Sequence, residues 1–167
     1  MRKFALIAII ALAASLALTA CDKQQGDEQA GQQASQKATR PTDLNDTAAW
    51  NAYFGQIVQN NMQDMKADRP YPYLVPAGDS DEAVAGRGRQ LSNVQDTVAR
   101  GVLPGNMLVF AGPDSSKTAD LVSEAFKNAN PGSFKDVIIL FIGDEADKQR
   151  VEDVLKPTGA TFRFVAM

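Results

Sequence analysis

The chain has 167 residues, with 17 Lys+Arg against 20 Asp+Glu, a net charge of −3, no histidine and one cysteine. That balance excludes the basic stripe of a nucleic-acid binder. The missing histidine removes the commonest general base, along with His-ligated zinc and Ser-His-Asp chemistry, and a lone cysteine allows no disulfide within the chain.

Met1-Arg2-Lys3 is followed by an apolar run from Phe4 to Ala20. A positive n-region, an apolar h-region and small residues at a cleavage point make a secretory signal peptide. The run is at the short limit for crossing a bilayer, and its alanines, Ser15 and Thr19 suit an h-region better than a stable span. Leu18-Thr19-Ala20-Cys21 closes it and resembles the lipobox of bacterial lipoproteins. The resemblance implies cleavage before Cys21, a diacylglycerol thioether on its sulfur and an acylated new N-terminus. The chain is then anchored to a membrane by lipid and faces the periplasm. Asp22 resembles the enterobacterial signal for retention at the inner membrane, although Lys23 follows it and the outer membrane stays open. Lipidation would also consume the only thiol, which an oxidising compartment would otherwise expose to cross-linking.

Without residues 1–20 the balance becomes 15 basic to 20 acidic side chains, because Arg2 and Lys3 are lost. Such a surface has no electrostatic grip on anionic lipid beyond the acyl chains. Residues 22–42 contain no aromatic residue and no aliphatic one larger than Ala. They cannot bury enough apolar surface to offset chain entropy, which predicts a disordered tether. It would average about 25 Å end to end as a coil and reach about 70 Å when taut. Residues 43–167 are then one domain, large enough for a single core.

Within that domain, Trp50, Phe54, Ile57, Val58, Met62 and Met65 recur at spacings of three and four, with Tyr53 widening the stripe. They predict a helix over 46–66, capped by Asp46 or Thr47. Three prolines in Arg69-Pro70-Tyr71-Pro72-Tyr73-Leu74-Val75-Pro76 predict an irregular loop. A second helix is expected from Ser80 to Gly101, with Val84, Leu91, Val94 and Val98 on one face; Gly86 and Gly88 could delay its start. Strands and helices then alternate: strand 107–111, helix 115–129, strand 136–142, helix 144–155 and strand 161–165. The second of these strands is apolar on both faces, as in a covered parallel sheet. The last one alternates, as at an edge with Arg163 facing water.

The reading is an α/β fold with a three-stranded parallel sheet, βαβαβ in the order 1-2-3, or alternatively 2-1-3. Right-handed crossovers put both following helices on one face. The two N-terminal helices are expected to cover the other.

Ligands of parallel sheets gather at the carboxyl ends of strands. There the chain has Gly112, Asp114, Ser115, Ser116 and Lys117 after one strand and Gly143 and Asp144 after the next. The first group partly resembles a phosphate-binding loop, but Ala111 and Ser116 stand where glycines are required, and Pro113 removes a donor. An anion could still bind the helix N-terminus, or Asp114 could cap it. Asp114, Asp144, Glu145 and Asp147 could form an acidic cluster, or simply complement helix dipoles. Ser115 and Lys117 are poorly spaced for a nucleophile–base pair, since i and i+2 do not face each other on a helix. No catalytic residue, metal ligand or cofactor is assigned. Tyr71 and Tyr73 offer rigid contact area, and Arg87, Arg89 and Arg100 offer positive charge to an acidic partner.

The expectation for function is a tethered envelope lipoprotein that binds another envelope protein as an accessory module. An anion or small-ligand site at the carboxyl edge of the sheet is the alternative, as is an immunity-type inhibitor of a periplasmic toxin. A hydrolytic enzyme ranks last.

Overall fold

Tyr71–Leu74, expected as loop, is the first strand of the sheet, and it reorganises the architecture. The computed structural model describes residues 39–167; the signal-peptide run, Cys21 and most of the tether lie outside the described residues. In chain order the elements are α1 (Thr47–Gln59), β1 (Tyr71–Leu74), α2 (Asp81–Arg100), β2 (Met107–Ala111), α3 (Ser115–Phe126), β3 (Ile138–Gly143), α4 (Glu145–Leu155) and β4 (Thr161–Ala166). The sheet has four parallel strands in the order β1-β2-β3-β4. The three expected strands do lie consecutively, but the sheet has four strands, not three.

Pro72 is tolerated in β1 because this is an edge strand. Val75 donates its N–H to Ala111 O at 2.7 Å, so the odd-numbered residues of β1 face β2 and the missing N–H of Pro72 points outward. The loop expected from Pro70, Pro72 and Pro76 is corrected to a strand, because four residues set among prolines carry little local signal of pairing.

The extra strand makes α2 a crossover helix. With the strand order running in one direction, right-handed crossovers place α2, α3 and α4 on the same face. Val94, Leu108, Phe110, Val122, Phe126, Ile139, Phe141 and Val151 form the core there. The other face, Met107, Val109, Ala111, Ile138, Leu140 and Ile142, is covered among the described helices by α1, through Trp50, Tyr53, Phe54 and Ile57, with Met65 packed beside them. The expected covering by two N-terminal helices is therefore corrected: the second of them packs on the opposite side.

Helix ends follow local chemistry. Asp46 caps α1 by accepting from Ala49 N, Ser80 caps α2 from Ala83 N, and Asp114 caps α3 from Lys117 N. α1 ends at Gln59, seven residues before the expected end at 66, and Asn61 Nδ2 donates to Ile57 O at 2.8 Å and closes the last turn. α2 runs unbroken through both glycines. A Cβ on Gly86 would lie 3.3 Å from the Pro76 ring, so that glycine allows a close approach. Val84, expected on the buried face, is 51% exposed because it lies beyond the sheet. Arg163, expected in water, is drawn inward: it donates to Asn61 O and Gln63 O and pairs with Asp64 at 2.8 Å.

Candidate functional site

The carboxyl ends of β2 and β3 bring Gly112, Asp114, Ser115, Ser116, Lys117, Gly143 and Asp144 together, as the sequence predicts. What they do there is bond to one another. A Cβ on Gly112 would sit 2.6 Å from both Thr118 Oγ1 and Val75 O, and one on Gly143 would sit 2.7 Å from Ser115 Oγ. Gly112 gives its space to Thr118 in α3 and to Val75 after β1, and Gly143 gives its space to the Phe141 ring and to Ser115 at the start of α3. Ser115 is buried; its hydroxyl donates to Asp147 Oδ2 at 2.5 Å and accepts from Asp144 N at 2.7 Å. That hydroxyl has its proton committed to a carboxylate, and it ties the start of α3 to the start of α4.

The charges are paired in the same way. Asp114 occupies the amides at the α3 N-terminus, accepting from Lys117 N at 3.2 Å and Ser116 Oγ at 3.1 Å. Lys117 Nζ turns away to Asp79 Oδ1 at 2.5 Å, so it faces neither those amides nor Ser115. Asp147 receives Nε and Nη2 of Arg150, which also reaches Asp120 and Ser116 O. Burial works against the charge of Arg150, but hydrogen bonds to Asp120 and Asp147 outweigh it and raise the pKa above the ordinary arginine value. Asp144 makes no cap bond and instead pairs with Arg40 at 2.8 Å. Arg40 also lies over the Trp50 ring. The chain thus joins the domain at Arg40, at the carboxyl edge of the sheet, and not only from residue 43. Among the described residues no three Asp, Glu, Cys or His groups converge as metal ligands, and no buried side-chain nitrogen or oxygen lacks a partner.

Asp79 provides a test of this network. A hydrogen bond and the charge from Lys117, reinforced by Arg87, hold its carboxyl below the usual 3.8. A carboxylate with a depressed folded pKa contributes stability that is present above the unfolded value and lost as pH falls through the folded one. In a carbon-detected NMR titration Asp79 should show a midpoint below 3.8, and K117M should raise that midpoint, with Arg87 still holding part of the shift.

The partner-binding candidates are dispersed. Tyr73 stacks on Phe110 at 5.1 Å and donates to Thr97 Oγ1 at 3.2 Å, which makes it part of the core that holds β1 to α2. Arg87 donates to Pro76 O and Gly78 O and braces the loop before α2. Arg89 lines a hollow of about 410 Å³ with Trp50, Phe54 and Leu74, between α1 and the start of α2. Tyr71 alone keeps a free ring, 52% exposed, at the amino end of the sheet. It meets Arg100, which the sequence also singled out, and Leu103, which it missed. Leu103 is 77% exposed, and the three line a hollow of about 250 Å³. The signal for Leu103 was available as an apolar residue in the turn between Gly101 and Pro104, but only the fold sets it beside Tyr71.

These features define a four-stranded parallel α/β domain with an internally bonded carboxyl edge and an apolar patch at the amino end. Comparison with protein-family models, curated proteins and solved structures finds no match.

Proposed function

We propose that the chain is a lipid-anchored envelope protein that acts by binding another envelope protein through the patch around Tyr71, Arg100 and Leu103. One observation carries this reading. Exposed Tyr71 and Leu103 line a hollow beside the unpaired Arg100 at the amino end, while the residues expected to hold an anion, Asp114, Ser115, Lys117 and Asp144, are bonded within the chain. An aromatic, an aliphatic and an arginine are the side chains from which interface hot spots are built. Arg100 makes no ion pair among the described residues and can meet an acidic group on the partner. An anion at the α3 N-terminus would first have to displace Asp114, and to recruit Lys117 it would have to break the pair with Asp79.

The anchor proposed at Cys21 is consistent with where the chain joins the domain. Arg40 is bonded at the carboxyl edge, whereas Tyr71 opens β1 at the opposite end of the sheet. The patch therefore points away from the point of attachment.

The test is a photo-reactive side chain placed at Tyr71 in the full chain, in its native membrane. A discrete heavier adduct is expected, lost when L103D is added and absent when the reactive group is at Asp114 instead. An adduct from position 114 and none from position 71 would defeat the proposal. The anchor is tested separately by the mass of the mature chain, which should begin at an acylated Cys21.

A further inference from the structure

We propose that β4 is the seat of a two-fold dimer in which the sheets of two copies join edge to edge. The two edges of this sheet are finished differently. At β1 the outward groups are blocked: Pro72 has no N–H, and the Gln90 carboxamide, with its nitrogen toward the Leu74 carbonyl, donates to Leu74 O at 2.7 Å and accepts from Leu74 N at 3.2 Å. A side chain thus fills the place of a neighbouring strand. β4 has no such device. Thr161 N donates to Val137 O and Met167 N to Gly143 O, so the odd-numbered residues face β3. The N–H and C=O groups of Phe162, Phe164 and Ala166 face outward and bond to nothing among the described residues. An open edge of this length is a template for another strand.

The charges beside that edge select a second copy as the occupant. Arg150 fixes one flank of α4 against α3 through Asp120 and Ser116. The opposite flank lies along β4, where Lys148 sits over the Phe164 ring at 5.3 Å. Helical spacing puts Glu145, Lys148 and Glu152 on this flank, with Lys156 just beyond the helix. Their signs run minus, plus, minus, plus, and reverse about a centre at residue 150. Within one chain Lys148 pairs with Glu145 at 3.4 Å, and both stay exposed; an antiparallel copy adds the partner's Glu152 opposite Lys148 and the partner's Lys156 opposite Glu145. Glu152 and Lys156 have no ion-pair partner in the described residues of a single chain. The contact of Lys148 with Phe164 aligns that centre with Arg163 in β4. A two-fold axis at Arg163 pairs Phe162 with the partner's Phe164 and Phe164 with the partner's Phe162, residues whose free groups point outward, and each pair exchanges both N–H···O bonds.

Spacing agrees as well. With strands about 4.8 Å apart, two helices that each straddle β3 and β4 lie about 10 Å apart, within the range of helix–helix packing. Like charges meeting on the axis would oppose the pairing. Arg163, however, is held back by Asp64 and two carbonyls and has a side-chain exposure of only 17%. The contact is isologous and closes on itself, giving a dimer and not a filament.

The test is sedimentation equilibrium of the full lipidated chain in density-matched detergent. A dimer is expected at about 50 μM, with its dissociation constant weakened about tenfold or more by K148E, which brings like charges together, and restored in K148E/E152K. A166P removes an outward N–H that no bond within one chain uses; it should weaken the dimer while leaving the melting temperature unchanged at concentrations where the unsubstituted chain is monomeric. A monomer at that concentration overturns the proposal, whether or not another protein's strand takes the edge, and so does a dimer indifferent to both K148E and A166P. The proposal is independent of the Tyr71 surface, which lies at the other edge, so photo-adducts at Tyr71 should survive both variants.

Discussion

Trp50→Ala should lower the unfolding free energy by about 3–5 kcal/mol and the melting temperature by about 10 °C or more. Trp50 is 2% exposed, stacks on Phe54 at 5.2 Å, meets Tyr53 edge-on at 5.7 Å and donates its indole N–H to Asp43 O at 2.9 Å. Truncation leaves a cavity and removes the shorter of the two hydrogen bonds to that carbonyl, which Asp46 N also meets at 3.3 Å. It also acts on the only helix among the described residues that covers six sheet residues, three from β2 and three from β3. Thermal or urea unfolding of W50A checks this; a loss under 1 kcal/mol would mean that α1 is not the essential lid of that face.

Gly112→Ala should cost about 3 kcal/mol, although it adds one methyl. The new Cβ would meet Val75 O, a backbone atom of the neighbouring chain segment, at 2.6 Å, and Thr118 Oγ1 at the same distance. Val75 is held by its own N–H bond to Ala111 O, and Thr118 by its hydroxyl bond to Asp114 O. Neither can retreat without breaking a bond at the end of a strand or the start of a helix. Gly88→Ala makes the matched control. It lies inside α2, meets nothing within 4 Å, and should stabilise by about 0.5–1 kcal/mol through helix propensity and reduced unfolded-state freedom. Denaturant titration of the pair should move the midpoints in opposite directions. Equal effects would show that space at Gly112 is not what matters.

Much of the carboxyl edge was legible. Gly112, Asp114, Ser115, Gly143 and Asp144 follow strands with strong apolar signatures, and strand ends in a parallel sheet converge. What could not be read was where each side chain would spend its bonds. Lys117 pairs with Asp79, 38 residues earlier in sequence, and Asp144 with Arg40, 104 residues earlier. Helical spacing says nothing about either. The Tyr71 patch was half legible: tyrosines among prolines advertised a surface, yet Tyr73 was claimed by Phe110 and Thr97, and Leu103 took its place.

By itself the sequence determined the elements whose information is local: four helices, three of them with their capping side chains, and three apolar strands in alternation with the last two helices. Periodicity and caps act within a few residues, so no partner is needed to read them. The tertiary structure alone decided that Tyr71–Leu74 is a strand, since its ladder bonds are made to β2 more than thirty residues away and its proline is harmless only on an edge. That one pairing turned α2 into a crossover, sent it to the opposite face from α1, and left a blocked edge on one side of the sheet and an open one on the other.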